Sequence, residues 1–145
     1  MVDVVTPEDR DLRLLLGEAR TIAVVGISAD PRRPSHRVAS YLLEHGYTIV
    51  PVNPNVDAVL GERAYPSLLD IPPARTIDVV DVFRRADATP DVARDAVAIG
   101  ARVLWLQEGI VNEEAMRIAQ DAGMEIIMGV CIQHVRERLM EEMDG

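Results

Sequence analysis

Apolar and polar positions alternate in blocks along this chain, and the blocks predict strand and helix in turn. Continuous apolar runs at 21–26, 47–52, 77–83, 102–106 and 125–128 have the length and β-branched content of strands buried on both faces. Between them, apolar residues recur at helical spacing. Leu12, Leu15 and Leu16 share one face of a helix predicted over 8–19. Val38, Ala39, Leu42 and Leu43 do the same for a helix from about 35, which stops at His45-Gly46. Thr89-Pro90 opens a third helix that ends at Gly100. A fourth runs from near Asn112 to Gly123, and a last one from about 132 to 140. Residues 1–7 read as a frayed tail. Asn53-Pro54-Asn55 cuts off the second strand, with a small extended piece at 61–65 and one helical turn at 67–70 beyond it.

Strands and helices joined by short loops in this order imply an α/β fold. The expectation is a doubly wound, parallel, five-stranded sheet in the order 3-2-1-4-5, with helices on both faces. A single domain fills 1–145, with its core at about 12–131. Ligands of such sheets sit outside the carboxyl ends of the strands. The loops at 26–35, 52–55, 82–85 and 107–110 are therefore expected to converge on one site.

Composition narrows the ligand. A net charge of −9 disfavours nonspecific nucleic-acid binding, because phosphates would be repelled. An anionic ligand must then be held locally, which draws attention to Arg32, Arg33, Arg37, Arg84 and Arg85. The chain has no lysine, so a P-loop and a catalytic lysine are both excluded. The one cysteine, Cys131, excludes an internal disulfide framework and makes a reducing cytoplasm the expected compartment. No export signal is recognised, and no apolar run approaches a membrane span.

The first strand ends at Gly26 and feeds a helix through a loop bearing Ser28, Arg32, Arg33 and Ser35. Backbone N–H groups and the positive end of the helix dipole make such a loop a phosphate cradle. Ser35 doubles as a helix N-cap, and Arg37 falls in the first helical turn, where the dipole disfavours a cation unless an anion sits beside it. A dinucleotide fingerprint wants three glycines here, and an acid at the end of strand two to bond the ribose. Residues 51–54 read Pro-Val-Asn-Pro, with no carboxylate before Asp57, so NAD is disfavoured. Asp81, near the end of strand three, reads as an acid paired to an arginine or, failing that, as an acid catalyst. Phe83 packs on ligand or core, Gln107 is placed to bond a ligand amide, and Gly109 permits close backbone approach. Cys131 is a small buried hydrophobe or a thiol near a ligand's end, open to a mixed disulfide. His36, His45 and His134 are scattered, which gives no metal site, and Glu113-Glu114 and Glu141-Glu142 read as solvated. No nucleophile–base pair emerges.

Taken together, these residues resemble the small stand-alone CoA-binding domain proteins of bacteria, similar to the CoA-binding domain of the succinyl-CoA synthetase alpha subunit. The resemblance rests on 22–28 (Ile-Ala-Val-Val-Gly-Ile-Ser), 31–35 (Pro-Arg-Arg-Pro-Ser), 50–54 (Val-Pro-Val-Asn-Pro), 80–84 (Val-Asp-Val-Phe-Arg) and 105–110 (Trp-Leu-Gln-Glu-Gly-Ile). It implies a Rossmann-like fold with CoA across the strand ends. Gly26, Ser28, Arg33 and Ser35 would hold the pyrophosphate, with Ile27 and Arg32 also expected to bind the cofactor, and Val52, Asn53 and Pro54 would line the nucleotide end. Phe83 and Arg84, with Gln107, Glu108 and Gly109, would complete the cleft. The family shows an acid and a basic residue before the cysteine, where this chain has Gly129 and Val130. The phosphohistidine domain of the synthetase has no counterpart in the sequence, so ligase chemistry is not expected. The expected function is a cytoplasmic carrier, sensor or regulatory module for CoA or an acyl-CoA, without catalysis of its own. The alternatives are a nicotinamide-dependent reductase, an acyl-CoA-handling enzyme, and an interaction module with a vestigial pocket. A protein partner is left open; nucleic acid and membrane are not expected as partners.

Overall fold

The computed structural model describes residues 3–141. Five parallel strands, β1 (Thr21–Val25), β2 (Thr48–Val52), β5 (Val79–Val82), β6 (Val103–Leu106) and β7 (Glu125–Met128), form the main sheet. A small hairpin of two-residue strands, β3 (Ala58–Val59) and β4 (Glu62–Arg63), forms a separate sheet beside β2, to which Tyr65 is bridged at Val52. The helices are α1 (Asp9–Glu18), α2 (Pro34–Glu44), α3 (Thr89–Ala98), α4 (Glu113–Asp121) and α5 (Ile132–Arg136), and a turn of π-helix at Glu137–Glu141 extends α5. Every predicted strand and helix is present. The Glu142 of the predicted acidic pair, and residues 1–2 of the predicted tail, lie outside the described residues.

Helices cover both faces of the sheet, as strands apolar on both faces require. One core joins α1, α2 and α5 to Ile22, Val24, Ile49, Val79, Trp105 and Ile127. The other joins α3, α4 and the segment carrying Tyr65, Leu68 and Ile71 to Ala23, Val25, Val50, Val80, Val82 and Leu104. Successive strand residues alternate between the two cores, the period of a pleated strand.

The strand order is β2-β1-β5-β6-β7. Counted over the five long strands this is 2-1-3-4-5, so the third strand lies between the first and the fourth and not at the edge beyond the second. The handedness of crossovers explains the difference. A right-handed crossover ties the direction of travel to the face it covers. The segment between β2 and β5 packs on the face of α3, opposite α2, so the chain must turn back past β1. The doubly wound, parallel, five-stranded architecture is the predicted one, and its switch point still adjoins β1, now between β1 and β5.

The start of the described chain is not frayed. Val5 forms an antiparallel bridge with Met128, donating at 3.1 Å and accepting at 2.9 Å. Edge strand β7 otherwise exposes unpaired backbone groups, and Val5 covers them.

Candidate functional site

The switch point brings the ends of β2, β1 and β5 together. The Gly26 N–H donates to the Val52 carbonyl at 2.9 Å, and the Phe83 N–H donates to the Val25 carbonyl at 2.8 Å. The side-chain amide of Asn53 donates to the Ile27 carbonyl at 2.8 Å, tying the second loop to the first. Gly26 has φ +84°, and a Cβ there would collide with the Phe83 carbonyl oxygen and meet Arg84 Cδ at 3.0 Å. No other residue fits that crevice.

A cavity of about 370 Å³ opens at these ends. Of the predicted site residues, Gly26, Val52, Asn53, Pro54, Phe83 and Arg84 line it. Val25, Asn55, Pro66, Ser67, Leu68, Val92 and Asp95 complete the wall; of these, Asn55 belongs to the predicted loop at 52–55 and the others were not predicted. The legible signal for Asp95 was an acid one turn after Val92, on the apolar stripe of α3. Burial and the nearby charge of Asp91 push the Asp95 carboxyl pKa up.

The loop after β1 satisfies most of its own polar groups. The Ser28 N–H donates to Ser35 Oγ at 2.9 Å, and the Asp30 N–H donates to Ser28 Oγ at 3.0 Å. The N–H groups of Arg32 and Arg33 donate to the Asp30 side chain and carbonyl. The predicted amide cradle is therefore largely occupied from within. Ser35 is the second residue of α2 and not its cap; its buried hydroxyl secures the loop. Arg32 is clamped by Asp30 at 3.0 Å, and this hydrogen bond holds the Asp30 carboxyl pKa below its usual range. Arg37 donates to the Arg32 carbonyl at 2.6 Å, which answers the dipole in place of the expected anion. Arg33 and Arg84 are exposed, and neither side chain makes a hydrogen bond or ion pair within the described residues. Ile27 is buried in the core.

The residues after β6 and β7 are not part of this cavity. Gln107 is buried, and its Oε1 accepts from the Ile132 N–H at 3.2 Å. Glu108 borders a separate hollow with Gly129, Val130 and Cys131, and Gly109 is exposed. The Cys131 thiol is buried in the α1–α2–α5 core, which matches the hydrophobe reading.

Asp81 neither pairs with an arginine nor reaches the cavity. It shares the face of Val79, between Val24 and Trp105, and is fully buried with neither oxygen hydrogen-bonded. Burial pushes its pKa well above the ordinary carboxylate value, which favours the neutral form. Strand alternation explains the placement, because Val80 and Val82 face the other core.

Among the described residues no cluster of three or more His, Cys, Asp or Glu is arranged to hold a metal ion, and no helix is long and apolar enough to cross a membrane.

With the fold and cavity in hand, known proteins give a consistent picture. The family profile described as CoA binding domain matches residues 20–136. YneT of Bacillus subtilis, an uncharacterized protein, is 41% identical over 127 residues, which are 88% of this chain and 93% of YneT. A hypothetical protein from Pyrococcus horikoshii OT3 superposes with a TM-score of 0.89 at 40% identity, over 96% of this chain and 99% of the other. The ADP-forming acetate–CoA ligase II of Archaeoglobus fulgidus is 29% identical over 120 residues, which are 81% of this chain and 17% of the ligase.

Proposed function

This chain belongs to the CoA binding domain family, and from that premise we propose that it binds CoA or an acyl-CoA across the ends of β2, β1 and β5. The observation that carries the reading is the pairing of Gly26 with Arg84. A position that admits only glycine lies beside an arginine with no internal partner, at the switch point where such sheets take ligands. Arg84 and Arg33 serve the phosphates, since the loop amides mostly donate to the Ser28, Ser35 and Asp30 side-chain oxygens. A planar guanidinium fork suits that task. Val25, Val52, Leu68 and Val92 supply apolar wall for the organic part of the ligand. At about 370 Å³ the cavity is near the lower end of small-molecule sites, roughly 300–1,000 Å³, so it encloses part of CoA while the rest extends over the rim.

The protein acts as a carrier, sensor or regulatory module in the cytoplasm. The one lining hydroxyl, that of Ser67, is committed to the Asp70 carboxylate at 3.0 Å in a capping box, and Asp81, three residues before Arg84, shares the face of Val79, away from the cavity. The second strand ends in Asn53, whose amide is committed to the Ile27 carbonyl, which offers no carboxylate to a ribose diol. That argues against a nicotinamide-dependent reductase. The chain matches 17% of the acetate–CoA ligase, and the ligase reaction is not assigned to it.

Calorimetric titration of the purified, ligand-stripped protein with CoA, using dephospho-CoA and NAD as controls, tests the proposal. Saturable binding of CoA, tighter than of either control, is expected. Folded protein that gives no heat with CoA, or that prefers NAD, would overturn the reading.

A further inference from the structure

Asp95 is a carboxylate in a cavity proposed to receive an anion. It stands on α3 one turn after Val92, half-buried, and lines the wall with Leu68 and Arg84. Its carboxyl makes no hydrogen bond and no ion pair among the described residues. The adjacent Arg94 is committed to Asp91 at 2.7 Å and to Glu114 at 2.9 Å. Arg84, which lines the same cavity, forms no ion pair with it among the described residues. One cation and one acid thus share a small cavity without neutralising each other. Each is available to a different part of one ligand, an anionic part for Arg84 and an N–H donor for Asp95.

We propose that Asp95 accepts a hydrogen bond from the exocyclic amino group of the ligand's adenine, which makes the cavity selective for an amino-bearing base. This rests on the CoA reading above. The apolar side chains of Val25, Val52, Leu68 and Val92 form walls against which a flat ring packs, while the carboxylate at their edge supplies the polar contact that orients it. A base without the amino group leaves the carboxylate desolvated and unpaired. Selection of this kind is stronger than selection by shape, because a polar group left unsatisfied is penalised.

The test compares CoA with an analogue whose base is unsubstituted purine, carrying hydrogen in place of the 6-amino group. Both are titrated against the wild-type chain and the Asp95→Ala variant. The expected result is a preference for CoA of about tenfold or more in the wild type, collapsing to within about threefold in Asp95→Ala. Asp95→Asn, which keeps an acceptor oxygen without the charge, falls between the two. A wild type that binds both ligands equally, or a variant that weakens both and keeps their ratio, overturns the assignment of Asp95 and leaves the CoA reading standing. A wild type that binds neither ligand overturns both.

Discussion

At the β1–β5 end of the sheet rim, Arg84 and Asp95 line a cavity and have no side-chain partner among the described residues. Two strands away, Gln107 accepts from the Ile132 N–H at 3.2 Å and the Trp105 indole donates to the Val130 carbonyl at 2.8 Å. Both regions carry polar residues just past an apolar strand, and in the sequence they look alike. They differ in what engages those groups. Past β6, the Val130 carbonyl and the first N–H of α5 take up the Trp105 indole and the Gln107 side chain. After β1 and β2 the loops bond to themselves and to each other, and the crevice at the switch point stays open. A binding site, on this view, is where the topology leaves polar groups without internal work.

The comparison breaks most severely at Gly26. Gly26→Ala forces a side chain into a left-handed conformation against the Phe83 carbonyl. A loss of roughly 2–4 kcal/mol in urea unfolding is expected, together with loss of CoA binding. An alanine variant with wild-type stability would show that the crevice is not closed by backbone.

Asp81 sits at the boundary between the two regions, unpartnered and with no cavity of its own. Burial favours its protonated form in the folded chain, whereas the unfolded chain returns it to water. The unfolded state therefore releases a proton once the pH passes the ordinary carboxylate value near 3.8. Stability contributed by this group is full below that pH and falls as pH rises, by up to about 1.4 kcal/mol per pH unit until the raised folded pKa is reached. Asp81→Asn has no group to ionise, so its stability relative to the wild type should rise from pH 4.5 to pH 7.5, as read by urea unfolding. A constant difference would contradict a neutral buried acid.

A paired experiment sharpens the contrast. Arg84→Ala should weaken CoA binding by about ten- to hundredfold, the worth of a charge-assisted hydrogen bond, and leave the melting temperature within a few degrees. Gln107→Ala should do the opposite. It leaves the buried Ile132 N–H without its acceptor and costs about 1–3 kcal/mol of stability, with CoA affinity within about twofold. Exchange of the two phenotypes would place the ligand at the β6–β7 end. The smallest effect separates two neighbours. Arg33→Ala should weaken CoA binding several-fold, whereas Arg32→Ala, which loses a side chain already clamped by Asp30, should change it by less than about twofold.

Much of this was legible in the sequence. The apolar runs gave every long strand, because strands buried on both faces leave an unbroken hydrophobic signal. Thr89-Pro90 and Asn112 marked helix starts, and Asn112 does cap α4 by accepting from the Ala115 N–H at 2.8 Å. Unbroken strands also hide information. With both faces apolar, nothing in the pattern tells which face the 53–78 segment covers, and so the position of the third strand was not recoverable. The Gly26 loop was found from its glycine and arginines, but its self-satisfaction depends on Ser35 lying inside α2 and bonding back to the Ser28 N–H. Asp95 reads as one more acid on a helix until Leu68 and Val92 are seen around it.

The most direct test of the central claim is amide hydrogen exchange with and without saturating CoA. Slowed exchange at 26–35, 52–55 and 83–85, with 107–109 and 129–135 unchanged, is the predicted result. Protection confined to 107–109 and 129–135 would contradict it and move the site to the end of the rim where the chain has already satisfied itself.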